Sequence, residues 1–377
     1  MQRKIYHSIE EIGAETIAHF SGSSLDFSYG LLRAVEKALW GDLAVRYLTI
    51  EKNGEAIAFL PAYVGTNVNI NALLPHKIQD GYIKLVRALG DLIKTRFVIA
   101  GSLISDKGWI PMRPESASAE LVAEMAAFVD DFSREEKVKV SMIKDIHCEF
   151  PDSWKDCISQ QGFERIYSLP TVIVDTDYAK FDDYVQGLKK NARKHARKVL
   201  KAAEQAFEFE IVTEIQPYID EIFPLFRNTY LKAKYQFDET TPYFLKYCAE
   251  IDDLGKELVL CRKNGKVVGA LLNFYNDSEQ LNKRIGIDYD QEETPLIYTS
   301  LMYQGMKTAI GRGLKRVYLG QSTYVPKLRL GGYAQDEYFY VKPYDPVLKL
   351  SMPMQHRWSS GYQAERVEAM ALQGVSV

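Results

Sequence analysis

The chain has 377 residues, with 47 Lys and Arg against 50 Asp and Glu, a formal net charge of −3. Apolar residues make up 46% and charged ones 26%, which excludes a disordered tail, a disulfide-stapled miniprotein and a collagen-like fibre. At roughly 150 residues per domain the length predicts two or three folding units. The near-zero charge excludes a general nucleic-acid coat, DNA included, and leaves local patches open.

The N-terminus, Met1-Gln2-Arg3-Lys4-Ile5, is basic, but Ser8-Ile9-Glu10-Glu11 follows and reads as a helix start where a signal peptide would have an apolar run. Residues 45–50 and 56–63 are apolar runs on either side of Asn53-Gly54. That dipeptide takes positive φ at low cost, so a tight hairpin is predicted. Helical material is expected near 81–94, a helix over 117–133 and a strand over 137–143. Gly162-Phe163 closes the last helix of this half, and residues 170–175, Pro-Thr-Val-Ile-Val-Asp, open the next as a strand.

The second half repeats the order. Residues 52–60 read Lys-Asn-Gly-Glu-Ala-Ile-Ala-Phe-Leu and residues 263–271, 211 positions on, read Lys-Asn-Gly-Lys-Val-Val-Gly-Ala-Leu. A strand over 283–288, a helix over 295–310 and a strand over 315–319 follow. Two similar α/β lobes in tandem are therefore predicted, 1–165 and 166–350, with 351–377 as a tail or packing helix.

The cysteines, Cys148, Cys157, Cys248 and Cys261, are scattered and form no Cys-x-x-Cys pair, so no disulfide framework is signalled. Neither that pattern nor a His-x-x-x-His occurs, and no metal is expected. The longest apolar stretches, 97–104 and 267–275, are strand-length, far short of the ~20 residues that span a bilayer. A cytoplasmic protein is expected.

Lys189, Lys190, Arg193, Lys194, Arg197, Lys198 and Lys201 lie close together with no acid among them. Helical spacing puts Leu188, Ala192, Ala196, Val199 and Ala203 on one stripe and fans the cations across the opposite face. His195 projects into the stripe and reads as a packed histidine before a catalytic one. A charged face is ordinarily just solvated, yet interleaved Glu would then relieve the like-charge repulsion. The missing acids point to an anionic partner: a nucleotide sugar, a coenzyme's phosphates or an RNA backbone. Both readings stand at this point.

Four segments carry a family resemblance: 169–175 (Leu-Pro-Thr-Val-Ile-Val-Asp), 188–198 with its basic pattern, 226–237 followed by Tyr243-Phe244, and 326–331 (Pro-Lys-Leu-Arg-Leu-Gly). Together they resemble the FemABX family, the aminoacyl-tRNA-dependent peptidyl transferases of peptidoglycan cross-bridges. The chain is also similar to the wider tandem-lobe group of the GNAT acyltransferase superfamily, and the likeness spans roughly residues 20–345. It implies an α/β (α+β) fold of two tandem GNAT-like lobes, each a mixed, mostly antiparallel sheet flanked by helices. The active cleft would lie mainly in the second.

The resemblance implies an enzyme that forms amide bonds, with Lys327 at the oxyanion or leaving group and Asp288, at a strand end, as a carboxylate base. An ordinary loop acid is the alternative for Asp288, and a surface lysine beside a turn for Lys327. Lys189, Lys190, Arg193 and Arg197 would meet the phosphates of donor or acceptor. Tyr235, Tyr298, Tyr303 and Tyr324 would line the cleft by stacking and hydrogen bonding. GNAT enzymes that use acyl-CoA hold its pyrophosphate on a glycine-rich loop at a helix N-terminus. Here that stretch, 289–294, reads Tyr-Asp-Gln-Glu-Glu-Thr, with three acids and no glycine. The expected co-substrate is therefore aminoacyl-tRNA, with acyl-CoA as the alternative and no permanently bound cofactor. The acceptor would be an amine of a cell-wall precursor or small metabolite. A non-catalytic module that binds an anionic ligand is the rival of another class.

Overall fold

A computed structural model describes residues 1–20, 25–39, 42–66, 96–105, 107–233, 240–346, 349 and 371. The helical material expected near 81–94, Tyr235, and the tail 351–377 apart from Ala371 lie outside the described residues. The chain divides into two compact units, Met1–Leu169 with Asp336–Glu368, and Pro170–Gln335 with Ala369–Val377.

In the first unit β1 (Gln2–Tyr6), α1 (Ile9–Ile12), α2 (Ala14–Ala18) and α3 (Tyr29–Lys37) lead to the hairpin β2 (Ala44–Lys52) and β3 (Glu55–Gly65). Then come β4 (Phe97–Ala100), α4 (Ala119–Glu135), β5 (Val140–His147), α5 (Asp152–Gln160) and β6 (Glu164–Tyr167). The second unit begins with β7 (Thr171–Asp175), α6 (Phe181–Gly187), α7 (Lys190–Ala206), β8 (Glu208–Val212), α8 (Ile219–Lys232) and α9 (Pro242–Ala249). It continues through β9 (Gly255–Lys263), β10 (Lys266–Tyr275), β11 (Glu279–Ile287), α10 (Thr294–Gly311), β12 (Arg316–Gln321), α11 (Tyr324–Arg329) and β13 (Tyr333–Gln335). A last strand, β14 (Glu337–Pro343), follows.

Both Asn-Gly pairs turn as expected: Asn53 and Gly54 have φ of 55° and 84°, and Asn264 and Gly265 have 53° and 77°. Two positive φ values in succession are what a two-residue hairpin between right-twisted strands requires. The Ser118 side chain caps α4 by accepting the Leu121 N–H, and Leu121, Met125, Phe128 and Phe132 recur on its buried face. In α7 the buried residues are Ala196, Val199 and Ala203. They pack in cores that include Met302 and Met306, and Leu301, of α10. At roughly 1.5–3 kcal/mol per large apolar side chain buried, it is this packing that holds a helix whose charges repel one another.

The first sheet has the order β1-β2-β3-β4-β5-β14-β6 and the second β8-β9-β10-β11-β12-β7-β13. The pairings agree position by position. In each sheet only the fourth and fifth strands run parallel, β4 with β5 and β11 with β12. A helix, α4 or α10, makes the crossover a parallel pair needs. The sixth strand is exchanged: β7 follows β6 in the chain but sits in the second sheet, and β14 follows β13 but sits in the first. The lobe expected to run to 350 therefore yields residues 337–343 to the first sheet, where β14 lies between β5 and β6. Alternating polarity marks a strand without saying which sheet it joins.

Candidate active site

The second sheet opens near its middle. The parallel ladder of β11 and β12 holds three residue pairs and ends at Leu281 opposite Tyr318, while β11 continues along β10 to Ile287. The far end of β12 turns sharply, with Gly320, Ser322 and Thr323 at φ of 73°, 60° and 52°. A β-branched residue at positive φ is strained, and such strain collects at functional sites.

Lys327 holds this turn. It lies on α11 at 4% exposure, and its Nζ donates to the carbonyls of Gly320 (3.1 Å) and Gln321 (2.7 Å). Tyr324 is buried and its hydroxyl donates to the Pro170 carbonyl at 3.1 Å. The other end of α11 is anchored by the Tyr184 hydroxyl, which donates to the Leu330 carbonyl at 2.6 Å. Lys327 is thus a buried cation beside the fork, not the surface lysine of the bland reading. Tyr324 supports the turn from below.

Asp288 follows β11, and its partners come from β10 and its own loop. Its carboxylate accepts from Lys266 Nζ at 3.1 Å, Gln291 Nε2 at 3.0 Å and the Asp290 N–H at 3.2 Å. Burial alone would raise its pKa, but the hydrogen bonds from Gln291 and Lys266 outweigh it and hold the carboxyl below its usual range. A carboxylate so stabilised is a weak base; the geometry favours the loop acid. The next turn is closed by another pair, Lys263 Nζ to Glu293 at 2.6 Å.

The basic helix α7 presents Lys189, Lys190 and Arg197 to solvent, where their side chains have no ion-pair partner among the described residues. Arg193 differs: its guanidinium donates to the Gln186 carbonyl at 2.6 Å and closes the end of α6. His195 is half-buried and kept neutral by burial first, and then by the charges of Arg329 and Lys198. The influence of Arg329 places α7 beside α11, as does the shared core of Leu188, Ala196, Tyr324 and Leu330. α11 thus meets the apolar stripe of α7, while Lys189, Lys190 and Arg197 stay in solvent.

Burial pushes the Tyr303 hydroxyl up to about 12, and burial beside Tyr289 raises that of Tyr298. Tyr303 also lines a 340 Å³ cavity between α6, α7 and α10.

Sequence reasoning missed a polar ladder beneath α10. Glu257, Asn273 and Asn282 stand directly opposite one another on β9, β10 and β11. Glu257 accepts from Asn273 Nδ2 at 2.9 Å and Thr308 Oγ1 at 2.7 Å, and pairs with Arg312. Gln280 Nε2 donates to Asn282 and to the Gly305 carbonyl, at 2.9 and 3.0 Å. A Cβ at Gly305 would lie 2.9 Å from Leu271 Cδ2 and 3.2 Å from Asn282 Nδ2, so glycine lets the helix approach the ladder without displacing either side chain. The available signal was Asn273, a polar residue within the apolar run of β10.

Among the described residues no group of three His, Cys, Asp or Glu could hold a metal ion, and no helix is long and apolar enough to cross a membrane.

Two mostly antiparallel sheets with parallel fourth and fifth strands, each flanked by helices, make a tandem GNAT-like fold. Residues 102–337 match the FemAB-like family model, described as peptidoglycan biosynthesis/recognition, and the chain belongs to that family. Among solved structures it is similar to FemX, at TM-score 0.60 and 10% identity over 94% of this chain and 100% of that one. A tandem GNAT protein of the clavulanic acid biosynthesis pathway gives TM-score 0.52 and 8% identity, covering 92% of this chain and 99% of that one. The C-terminal domain of a lysylphosphatidylglycerol synthetase from Agrobacterium fabrum gives 0.51 and 14%, covering 87% and 91%. A Mycobacterium tuberculosis protein named as an 8-amino-7-oxononanoate synthase 2 is 23% identical over 242 residues, 63% of this chain. The chain spans 31% of the length of that relative.

Proposed function

We propose that the protein is an N-acyltransferase that moves an aminoacyl group from aminoacyl-tRNA to an amine of a cell-wall precursor or small metabolite. The observation that carries this reading is the buried Lys327 ammonium at the open end of the β11–β12 fork, on a helix that shares its core with the apolar face of α7, whose cations face solvent. The amine nitrogen attacks the ester carbonyl and an oxyanion develops. The amide bond then forms as the ester C–O bond breaks, and the ribose hydroxyl leaves with the proton the amine gives up. Lys327 supplies fixed positive charge where that oxyanion or alkoxide appears, preorganised by the two carbonyls that hold it. Lys189, Lys190 and Arg197 meet donor phosphates, while Arg193 fixes the end of α6. Tyr298 and Tyr303 shape the second unit's interior. The acids at 290, 292 and 293 disfavour a pyrophosphate there, which favours tRNA over acyl-CoA.

The test is turnover with charged tRNA and candidate amines, with and without ribonuclease. Product that disappears with ribonuclease supports the donor; product that survives it and requires acyl-CoA overturns the donor. Binding of tRNA without any product under either donor would make the protein a binding module. With turnover in hand, Lys327→Met is expected to lower kcat by roughly 10²–10³-fold at unchanged KM. Replacing Lys190 and Arg197 by Ala should reduce the salt dependence of tRNA binding by a log–log slope of roughly 2.

A further inference from the structure

The cavity touched by Tyr303 has a composition that acyl transfer does not explain. It encloses 340 Å³ and is lined by Lys180, Phe181 and Asp182 at the start of α6, Leu200, Ala203 and Glu204 of α7, and Tyr303, Gln304 and Lys307 of α10, with Phe209 of β8. Its floor is apolar: Ala203 and Tyr303 are buried, Phe181 and Phe209 half-buried. The Tyr303 ring stands nearly perpendicular to that of Phe181, at 81° with centroids 6.4 Å apart.

The rim is charged in both senses. Lys180 and Lys307 face it with Asp182 and Glu204, all exposed, and no ion pair joins any of the four among the described residues. Glu204 is also the only acid on α7, and it stands at this cavity, one turn beyond Lys201, the last of the helix's cations. Two acids make the rim a poor seat for a phosphate or nucleotide, and four charges around a small volume make it a poor seat for a fatty acyl chain. Opposite charges too far apart to pair with each other suit a ligand that carries both.

We propose that this cavity binds a small zwitterion with an apolar side chain, an α-amino acid of the aromatic or branched aliphatic kind. Its side chain would rest between Phe181 and Phe209 over Tyr303 and Ala203. Its ammonium would face Asp182 and Glu204, and its carboxylate Lys180 and Lys307. The proposal stands on the second unit's geometry alone, independent of any acyl-transfer activity.

The experiment is equilibrium dialysis of the full chain with L-phenylalanine and L-leucine, in competition with N-acetyl-L-phenylalanine and phenethylamine. The amino acids should bind saturably at one site. Each analogue, lacking one charge, should bind at least about tenfold more weakly. Leu200→Trp, which fills the cavity, should abolish binding. Glu204→Gln and Lys307→Ala, both at exposed positions and so expected to fold, should each weaken it about tenfold, and Asp277→Asn elsewhere should leave it unchanged. Failure of the folded wild-type chain to bind either amino acid, or equal affinity for the analogues, would overturn the proposal. So would unchanged binding in Glu204→Gln and Lys307→Ala. Loss of acyl transfer in a separate assay would leave all these outcomes as they are.

Discussion

The two units share one strand order and differ in what stands where their parallel pair ends. In the first, β4 and β5 part after Ala100 opposite Ile143, and the gap is closed from within. Gly108 forms a parallel bridge with Ile146 and its carbonyl accepts from the His147 N–H at 3.1 Å. The contact is so close that a Cβ at Gly108 would lie 2.2 Å from the Asp145 carbonyl oxygen. Asp145 itself is buried at φ of 51°, paired with Lys144 and bonded by the Ser168 hydroxyl at 2.8 Å. In the second unit no described segment bridges β12 on its β11 side beyond Tyr318, and the strained turn held by Lys327 occupies that end. Duplicated folds can thus keep a scaffold twice and leave the opening in one copy.

Four outcomes would break or sharpen this contrast. The largest is expected from truncation after Gln335, which removes β14. The first unit should then lose protection from amide exchange throughout β5 and β6, while β9 to β12 keep theirs; retained protection in β5 would show the exchanged strand to be dispensable. Next, Gly108→Val drives a side chain into the Asp145 backbone. It should destabilise the first unit by about 3 kcal/mol or more in chemical denaturation, leaving the second unit's transition in place. In the second unit, Arg312→Ala removes the charge that faces the fully buried Glu257. About 3 kcal/mol is expected there, and a change under 0.5 would mean the ladder tolerates an uncompensated carboxylate.

The smallest effect belongs to Asp288. A carboxylate whose folded pKa is lowered contributes stability that is fully present above its unfolded pKa and fades as pH falls through the folded one. Asp288→Asn should therefore cost about 1 kcal/mol at pH 7 and progressively less as pH falls below the ordinary carboxylate range. A cost that persists in acid would assign the effect to shape instead of charge.

The elements were legible where the chain carries its own punctuation. Asn53-Gly54 and Asn264-Gly265 dictate hairpins whatever surrounds them, and the 3.6-residue period of α4 and α7 is written in consecutive residues. The family resemblance led to Lys327. Its two carbonyl partners were hidden because they depend on the left-handed turn at Ser322 and Thr323, which no residue type there announces. Asp288 stands just past a strand end, as expected, but its cationic partner could not be read locally, since Lys266 approaches from β10, 22 residues away. Asn273 looks like an isolated polar residue in an apolar strand, and Glu257 and Asn282 like ordinary members of mixed strands, until the register sets the three side by side. The exchange of β7 and β14 lay beyond local reading, because strand pairing is decided by partners far along the chain.

That exchange also sets a timetable. During synthesis the first sheet is complete up to β6 by Tyr167, yet the strand that belongs between β5 and β6 does not begin until Glu337. At ~5–20 residues per second the ribosome needs roughly ten to thirty seconds to supply it. Through that interval β5 and β6 stand as two bare edges of unpaired N–H and C=O groups, open to the wrong strand of a neighbouring nascent chain. This vulnerable interval is thus a wait imposed by chain order, and it ends only when β14 emerges.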